Sequence, residues 1–217
     1  MASGHDFDFA ALAPRERYKL LTGLVVPRPI ALVTTVSTGR VVNCAPFSFF
    51  NVFSDDPALV VLGIEARPDG TMKDTTRNAR ETGVFVVNLV DEALAAAMND
   101  CAVDFPPEAS EPEILGLKLA PGSHVGVPHL AAAPAALECR KTAMINVGRL
   151  RDLLIGEVVG VHARAGIVDP ANLRVDFDAY QPVGRLAGSL YARQRDRFEL
   201  VRENLAEWTR RNGERLA

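Results

Sequence analysis

A mainly β fold, a β-barrel with peripheral helices, is the architecture this sequence predicts, and three observations predict it. Strand-like runs follow one another through short turns: Ile30–Val36, Val41–Phe53 and Ala58–Ile64 are separated only by Ser37-Thr38-Gly39-Arg40 and Ser54-Asp55-Asp56-Pro57. The first and third of these runs are apolar at consecutive positions, which predicts strands buried on both faces. The helical stretches are short and lie outside the β runs. Hairpins, short loops and doubly buried strands together predict a closed barrel over an open sheet.

In order along the chain, residues 1–27 read as a loose arm and a short helix from Pro14 to Leu21, ended by Gly23. Residues 28–193 read as the barrel domain. In the first hairpin turn, Gly39 is expected to supply the positive φ. The second strand is expected to break at Ala45-Pro46, because proline cannot donate to a sheet ladder. Thr71 is expected to cap a helix over Met72–Thr82, with Gly83 ending it. Val84–Val90 reads as a strand, and Asp91 as the cap of a helix over Ala93–Asn99. The span 101–128 carries Pro106, Pro107, Pro112, Pro121 and Pro128, and its length points to a lid or a disordered segment. Ala135–Val147 and Leu153–Ala165 read as long strands, with Gly156 and Gly160 as points of bulging or close approach. Residues 194–217 are expected to hold a terminal helix over Arg195–Arg211, with Phe198, Leu205 and Trp208 on one side.

Composition narrows the function classes. The chain has 217 residues, a formal net charge of −3 and 20 Arg against 4 Lys. A slightly acidic balance without a basic stripe predicts no nucleic-acid partner. No apolar run approaches the length of a membrane span, so no membrane association is expected. Three scattered cysteines with no leader pattern at the start suit a reducing, cytoplasmic setting and predict no disulfide framework. Histidines and cysteines lack metal-ligand spacing, so no metal is expected. There is no G-x-G-x-x-G after a strand, no P-loop and no G-x-S-x-G elbow, which disfavours a dinucleotide-binding Rossmann domain, a kinase and an α/β-hydrolase.

Two polar stretches carry candidate chemistry. Lys73-Asp74-Thr75-Thr76-Arg77-Asn78 opens a helix, where unpaired backbone N–H groups, the helix dipole, a lysine and hydroxyls make an anion site suited to phosphate. The same residues would also serve as an ordinary solvated helix start. Asn43-Cys44-Ala45-Pro46-Phe47-Ser48, with Asn51 beyond it, offers small residues and a proline that let a flat ligand approach the backbone. Alternatively it is a bulge that turns a barrel corner. Cys44 has no basic neighbour in sequence to make it a thiolate, and reads as a small buried thiol. His162, in an apolar strand, reads as a core histidine.

The run RPIALVTTVSTGRVVNCAPFSFFNVFSDDPALVVLGI, followed by KDTTRN, VFVVNLV, PAALECR, LLIGEVVGVHA and PVGRLAGSLYAR, resembles the flavin reductase-like, FMN-binding split-barrel family over about Arg28 to Arg193. The resemblance implies a Greek-key split barrel that forms a homodimer with FMN near the subunit interface. It implies that Asn43, Cys44, Ala45, Pro46, Phe47 and Ser48 line the flavin ring and ribityl chain, flanked by Thr34 and Asn51. Lys73, Thr75 and Asn78 would serve the phosphate. Arg185, Gly188 and Tyr191 would close the site or meet the nicotinamide nucleotide, although Ala187 stands where usual members have a second glycine. The implied activity is NAD(P)H:flavin oxidoreduction, with NADH or NADPH as donor. The acceptor would be free flavin, a ferric chelate, a small organic substrate or a flavin-dependent monooxygenase partner. A non-enzymatic FMN carrier of the same fold is the alternative. No general base is assigned, because the cofactor carries the chemistry.

Overall fold

The structure is a computed structural model that describes residues 4–106, 109–148 and 150–213. The first three and last four residues and Pro107 lie outside the described residues. Helix α1 (Pro14–Leu24) leads into β1 (Ala31–Val36), β2 (Val42–Phe47), β3 (Phe50–Asp55) and β4 (Ala58–Glu65). Helix α2 (Asp74–Thr82) precedes β5 (Val84–Leu89) and α3 (Ala95–Asp100). Then come α4 (Glu111–Ile114), β6 (Leu119–Ala120), β7 (His129–Leu130), β8 (Ala135–Val147) and β9 (Arg151–Ala163). The chain ends with α5 (Phe177–Tyr180), β10 (Val183–Arg185), β11 (Tyr191–Arg193) and α6 (Leu205–Asn212).

Seven strands form one antiparallel sheet in the order β2-β1-β5-β8-β9-β4-β3. Its two edge strands, β2 and β3, are consecutive in sequence and joined only by Ser48 and Phe49. The sheet must therefore roll until its edges meet at that joint, where the Gly63 N–H donates to the Phe49 carbonyl at 2.7 Å. The edges meet without pairing along their length, so the barrel is split and not closed by hydrogen bonds. Phe85, Leu62, Ile64, Leu154, Val60, Val87 and Val33 fill its interior. A second apolar cluster, around Leu32, Cys44, Met98, Cys101 and Leu130, packs α3 and the following loop against the outside of β1 and β2. Burying such side chains at about 25 cal/mol per Å² of apolar surface is the main force holding the roll together.

Several expectations change. In the first turn the positive φ belongs to Arg40 (67°), not Gly39. Helix α1 runs through Gly23 to Leu24. Pro46 stays inside β2, and the strand breaks two residues later. Cys44 gives its N–H to Glu111, away from β1. Alternation puts Pro46 on the same open side, where a missing N–H costs no ladder bond. Strand β4 buries Val60, Leu62 and Ile64 while the residues between them are partly exposed, so it is buried on one face only. The cap of α2 is Lys73, with no side-chain bond to the helix, while Thr71 bonds Asp69 instead. Asp91 does accept from the Leu94 N–H at 3.0 Å, but α3 begins at Ala95. The 101–128 span holds α4 and β6. Helix α6 starts only at Leu205, which leaves Phe198 on the extended stretch before it.

Close approach explains two glycines. A Cβ at Gly156 would lie 2.4 Å from Phe85 Cζ, and one at Gly160 would lie 2.1 Å from His124 Cδ2. Both strands bulge nearby, at Glu138/Cys139 and Lys141/Ala143 of β8.

Candidate functional site

Strand β2 and the start of α2 come together. The Asn43 amide donates to Thr75 Oγ1 at 3.0 Å and to Thr35 Oγ1 at 3.4 Å. The Asn78 amide donates to the same Thr35 hydroxyl at 3.0 Å. This buried lattice fixes the helix start against the strand. The Asn78 Oδ1 atom, buried, has no partner.

The first turn of α2 is open. With no side-chain cap, the N–H groups of Asp74, Thr75 and Thr76 have no intrahelical partner. Asp74 would oppose an anion there, but Arg67 pairs with it at 2.5 Å and Arg77 pairs with its other oxygen. A cavity of about 80 Å³ opens here, lined by Asn43, Ala45, Pro46, Lys73, Thr75 and Glu111, among others. Lys73 shares it with the carboxyl-bearing Glu111 and Asp104. A larger one of about 280 Å³ continues past Pro46, Phe47 and Ser48 to Arg185, Gly188 and Tyr191. Pro46 and Ala102 line both, so the two form one groove along the open side of β2.

At the far end, Arg185 stacks over the Tyr191 ring at 4.5 Å and bonds the Tyr191 hydroxyl and the Gly188 carbonyl. Gly188 takes a φ of 59° in the β10–β11 turn. The neighbouring Ala187 needs no positive φ, so its extra methyl is accommodated there.

Three expected residues stand apart. Thr34 is fully buried and donates to the Pro128 carbonyl at 2.7 Å. Asn51 is exposed, accepts from the Val52 N–H and lines an apolar hollow of about 380 Å³ that adjoins the far end of the groove at Arg28 and Ser48. Asn78 sits behind Thr35. The Cys44 side chain turns into the apolar cluster with Cys101; a hydrogen bond with Cys101, and then burial, push its thiol well above the ordinary range. That suits an inert thiol and not a nucleophile. His162 proves exposed; its ring stacks at 4.4 Å on His129, which is the buried one.

The sequence reading missed Arg67 and Glu111, and gave Arg77, inside the candidate stretch, no role of its own. The Glu111 carboxylate accepts the Cys44 N–H at 2.8 Å, and burial pushes its pKa above the usual 4.5, opposed by that bond. Among the described residues no group of His, Cys, Asp or Glu could hold a metal, and no helix is long and apolar enough to cross a membrane.

The flavin reductase like domain family matches residues 23–184. An uncharacterized protein of Deinococcus radiodurans is 46% identical over 208 residues, covering 93% of this chain and 91% of that protein. Pseudomonas fluorescens 2-nitrobenzoate 2-nitroreductase superposes with a TM-score of 0.86 at 38% identity, covering 93% of this chain and 98% of that one. Nitrilotriacetate monooxygenase component B from Bacillus cereus superposes with a TM-score of 0.88 at 35% identity, covering 92% and 100%. The match takes in every strand from β1 to β9 and the helix start of α2, and the chain belongs to the flavin reductase like family, folded as a split barrel.

Proposed function

We propose that the chain is an NAD(P)H-dependent flavin oxidoreductase that holds FMN in the groove along β2 and works as a cytoplasmic homodimer. The observation that carries this reading is the contact between the two polar stretches. Through Asn43 and Thr75, the open side of β2 and the open start of α2 border one continuous groove. Uncapped N–H groups, Lys73 and the Thr75 hydroxyl fit a phosphate, and the wall of Ala45, Pro46 and Phe47 fits a flat ring. The relatives' names support the choice of acceptors: a small nitroaromatic in one case, a monooxygenase partner in the other.

When bound, the flavin supplies the hydride and electron chemistry. The tasks left to this chain are to bind, orient and keep water out. Arg67 and Arg77 neutralise Asp74, which leaves Lys73 and the helix start to meet a phosphate, with Glu111 and Asp104 as the other charged residues on that wall. Asn43 and Asn78 fix the distance between strand and helix. Met98 and Ala102 form the opposite wall over Pro46 and Phe47.

The test is the absorbance spectrum of the protein with added FMN, repeated after NADH or NADPH without oxygen. Yellow protein bleached by either donor is expected. Flavin that binds but is bleached by neither would leave the carrier role. A protein that takes up no FMN would end the reading.

A further inference from the structure

Arg28 and Arg185 are direct cross-strand partners. The Arg28 N–H donates to the Arg185 carbonyl at 3.0 Å, and the Arg185 N–H returns the bond at 2.8 Å. Residues paired in this way project their side chains to the same face with Cβ atoms about 4.5–5.5 Å apart, and like charges so placed repel. Both side chains line the cavity of about 280 Å³ at the far end of the groove. Neither forms an ion pair with a carboxylate among the described residues. Arg28 is only 8% exposed. Its donors go to neutral acceptors alone: the carbonyls of Thr22 (2.7 Å), Val25 (2.9 Å) and Leu186 (3.0 Å), and Ser48 Oγ at 3.4 Å. Those of Arg185 go to Tyr191 and Gly188. Burial lowers the Arg28 pKa, Tyr18 opposes that shift, and the proximity of Arg185 adds a smaller lowering effect.

Two cross-strand arginines on one cavity, one of them buried, amount to a charge that no carboxylate among the described residues compensates. The carbonyls ending α1 offset about half an elementary charge at most. A folded chain tolerates such a local conflict where function requires it. The remaining walls include Tyr18, Ile30, Phe47, Met98 and Tyr191, ring and apolar surface for a flat body, beside the polar Ser48 and Asn99.

We propose that Arg28 and Arg185 form a seat for an oxyanion on the second reactant, the molecule that meets the flavin at this end of the groove. The assignment of a second reactant rests on the flavin reading above. The shared chemistry is a carboxylate or phosphate on a flat, apolar molecule: a carboxylate of the acceptor or a phosphate of the nicotinamide donor. A planar guanidinium binds such a group through parallel charge-assisted bonds, the role of Arg185, while Arg28, whose donors are held by its own chain, adds positive charge behind it.

The test is calorimetric titration of benzoate, benzamide and ADP-ribose into the protein, with and without FMN. Benzoate is expected to bind about tenfold or more tightly than benzamide, the difference one charge-assisted contact makes. Arg185→Gln is expected to abolish that difference and Arg185→Lys to restore part of it, with thermal unfolding reporting that each variant is folded. If ADP-ribose instead shows the Arg185-dependent binding, the seat stands and the phosphate is its ligand. If neither anion depends on Arg185, the proposal is overturned. Discrimination of benzoate from benzamide by a protein that takes up no FMN would sink the flavin reading alone. Binding of FMN with no anion discrimination would sink the seat alone.

Discussion

Lys73 occupies the cap position of α2 and shares a cavity with Asn43 and Thr75. In the flavin reading it holds the phosphate, so Lys73→Ala is expected to weaken FMN binding by about 1.5–3 kcal/mol, measured by quenching of flavin fluorescence. Unchanged affinity would put the phosphate elsewhere. Glu111 is the other residue whose environment decides its behaviour. Burial raises its carboxyl pKa above the ordinary 4.5. The folded chain therefore holds that proton more tightly than the unfolded chain does. Its stabilising contribution is complete below the ordinary pKa and disappears as pH rises through the raised one. Glu111→Gln keeps an acceptor for the Cys44 N–H without the titration. Its stability relative to wild type is expected to improve as pH is raised from about 4 toward neutrality, read from urea midpoints. A difference that stays constant across that range would show that Glu111 does not titrate as described.

At the scale of elements, α2 depends on how it ends as much as on how it begins. Gly83 follows its last turn at a φ of 74°, and its N–H closes on the Ala79 carbonyl at 3.2 Å. A β-carbon there meets no neighbour, so the cost of Gly83→Ala is purely that of the backbone, about 1–2 kcal/mol. A lower urea midpoint with an unchanged slope is the expected result, and an unchanged midpoint would refute it. Gly83 was legible in the sequence because it stands between a polar stretch and the apolar, β-branched run Val84–Val90, where a glycine ends a helix. Strand β8 was legible too, at Ala135–Val147, because apolar and β-branched residues mark it locally. The fate of Pro46 was not legible. The rule that proline breaks a strand assumes a partner on both sides, and β2 has one on a single side only. The cap at Lys73 was missed because Thr71, the better capper by residue type, is engaged by Asp69. Arg28, Arg67 and Glu111 carry no local signal of their roles, and Arg77 shows only that it stands at a polar helix start. A charged residue reads as solvated until the fold shows what stands opposite it.

For the molecule as a whole, the apolar hollow is the feature that a single copy leaves unsatisfied. It measures about 380 Å³, is lined by Leu21, Val25, Phe49, Phe53 and Leu153 among others, and is flanked by Val52, 64% exposed, and Phe53, 66% exposed. Contiguous apolar surface of this kind marks association sites. It also touches Arg28 and Ser48, which line the groove. In the homodimer reading, Phe53→Asp is expected to shift the sedimentation velocity profile from dimer toward monomer. A wild-type protein that sediments as a monomer at micromolar concentration would refute the dimer. The rolled sheet has a further consequence, for how the chain reaches this form. Strand β4 finds its neighbour in β9, Val61 against Ile155, and β1 finds β5 across the whole of α2. Only the hairpins are local. The roll cannot be completed until the second half of the polypeptide exists, so the early hairpins wait with bare edges during synthesis. With so many distant pairings, spontaneous refolding belongs to the slow, high-contact-order class, about milliseconds to seconds.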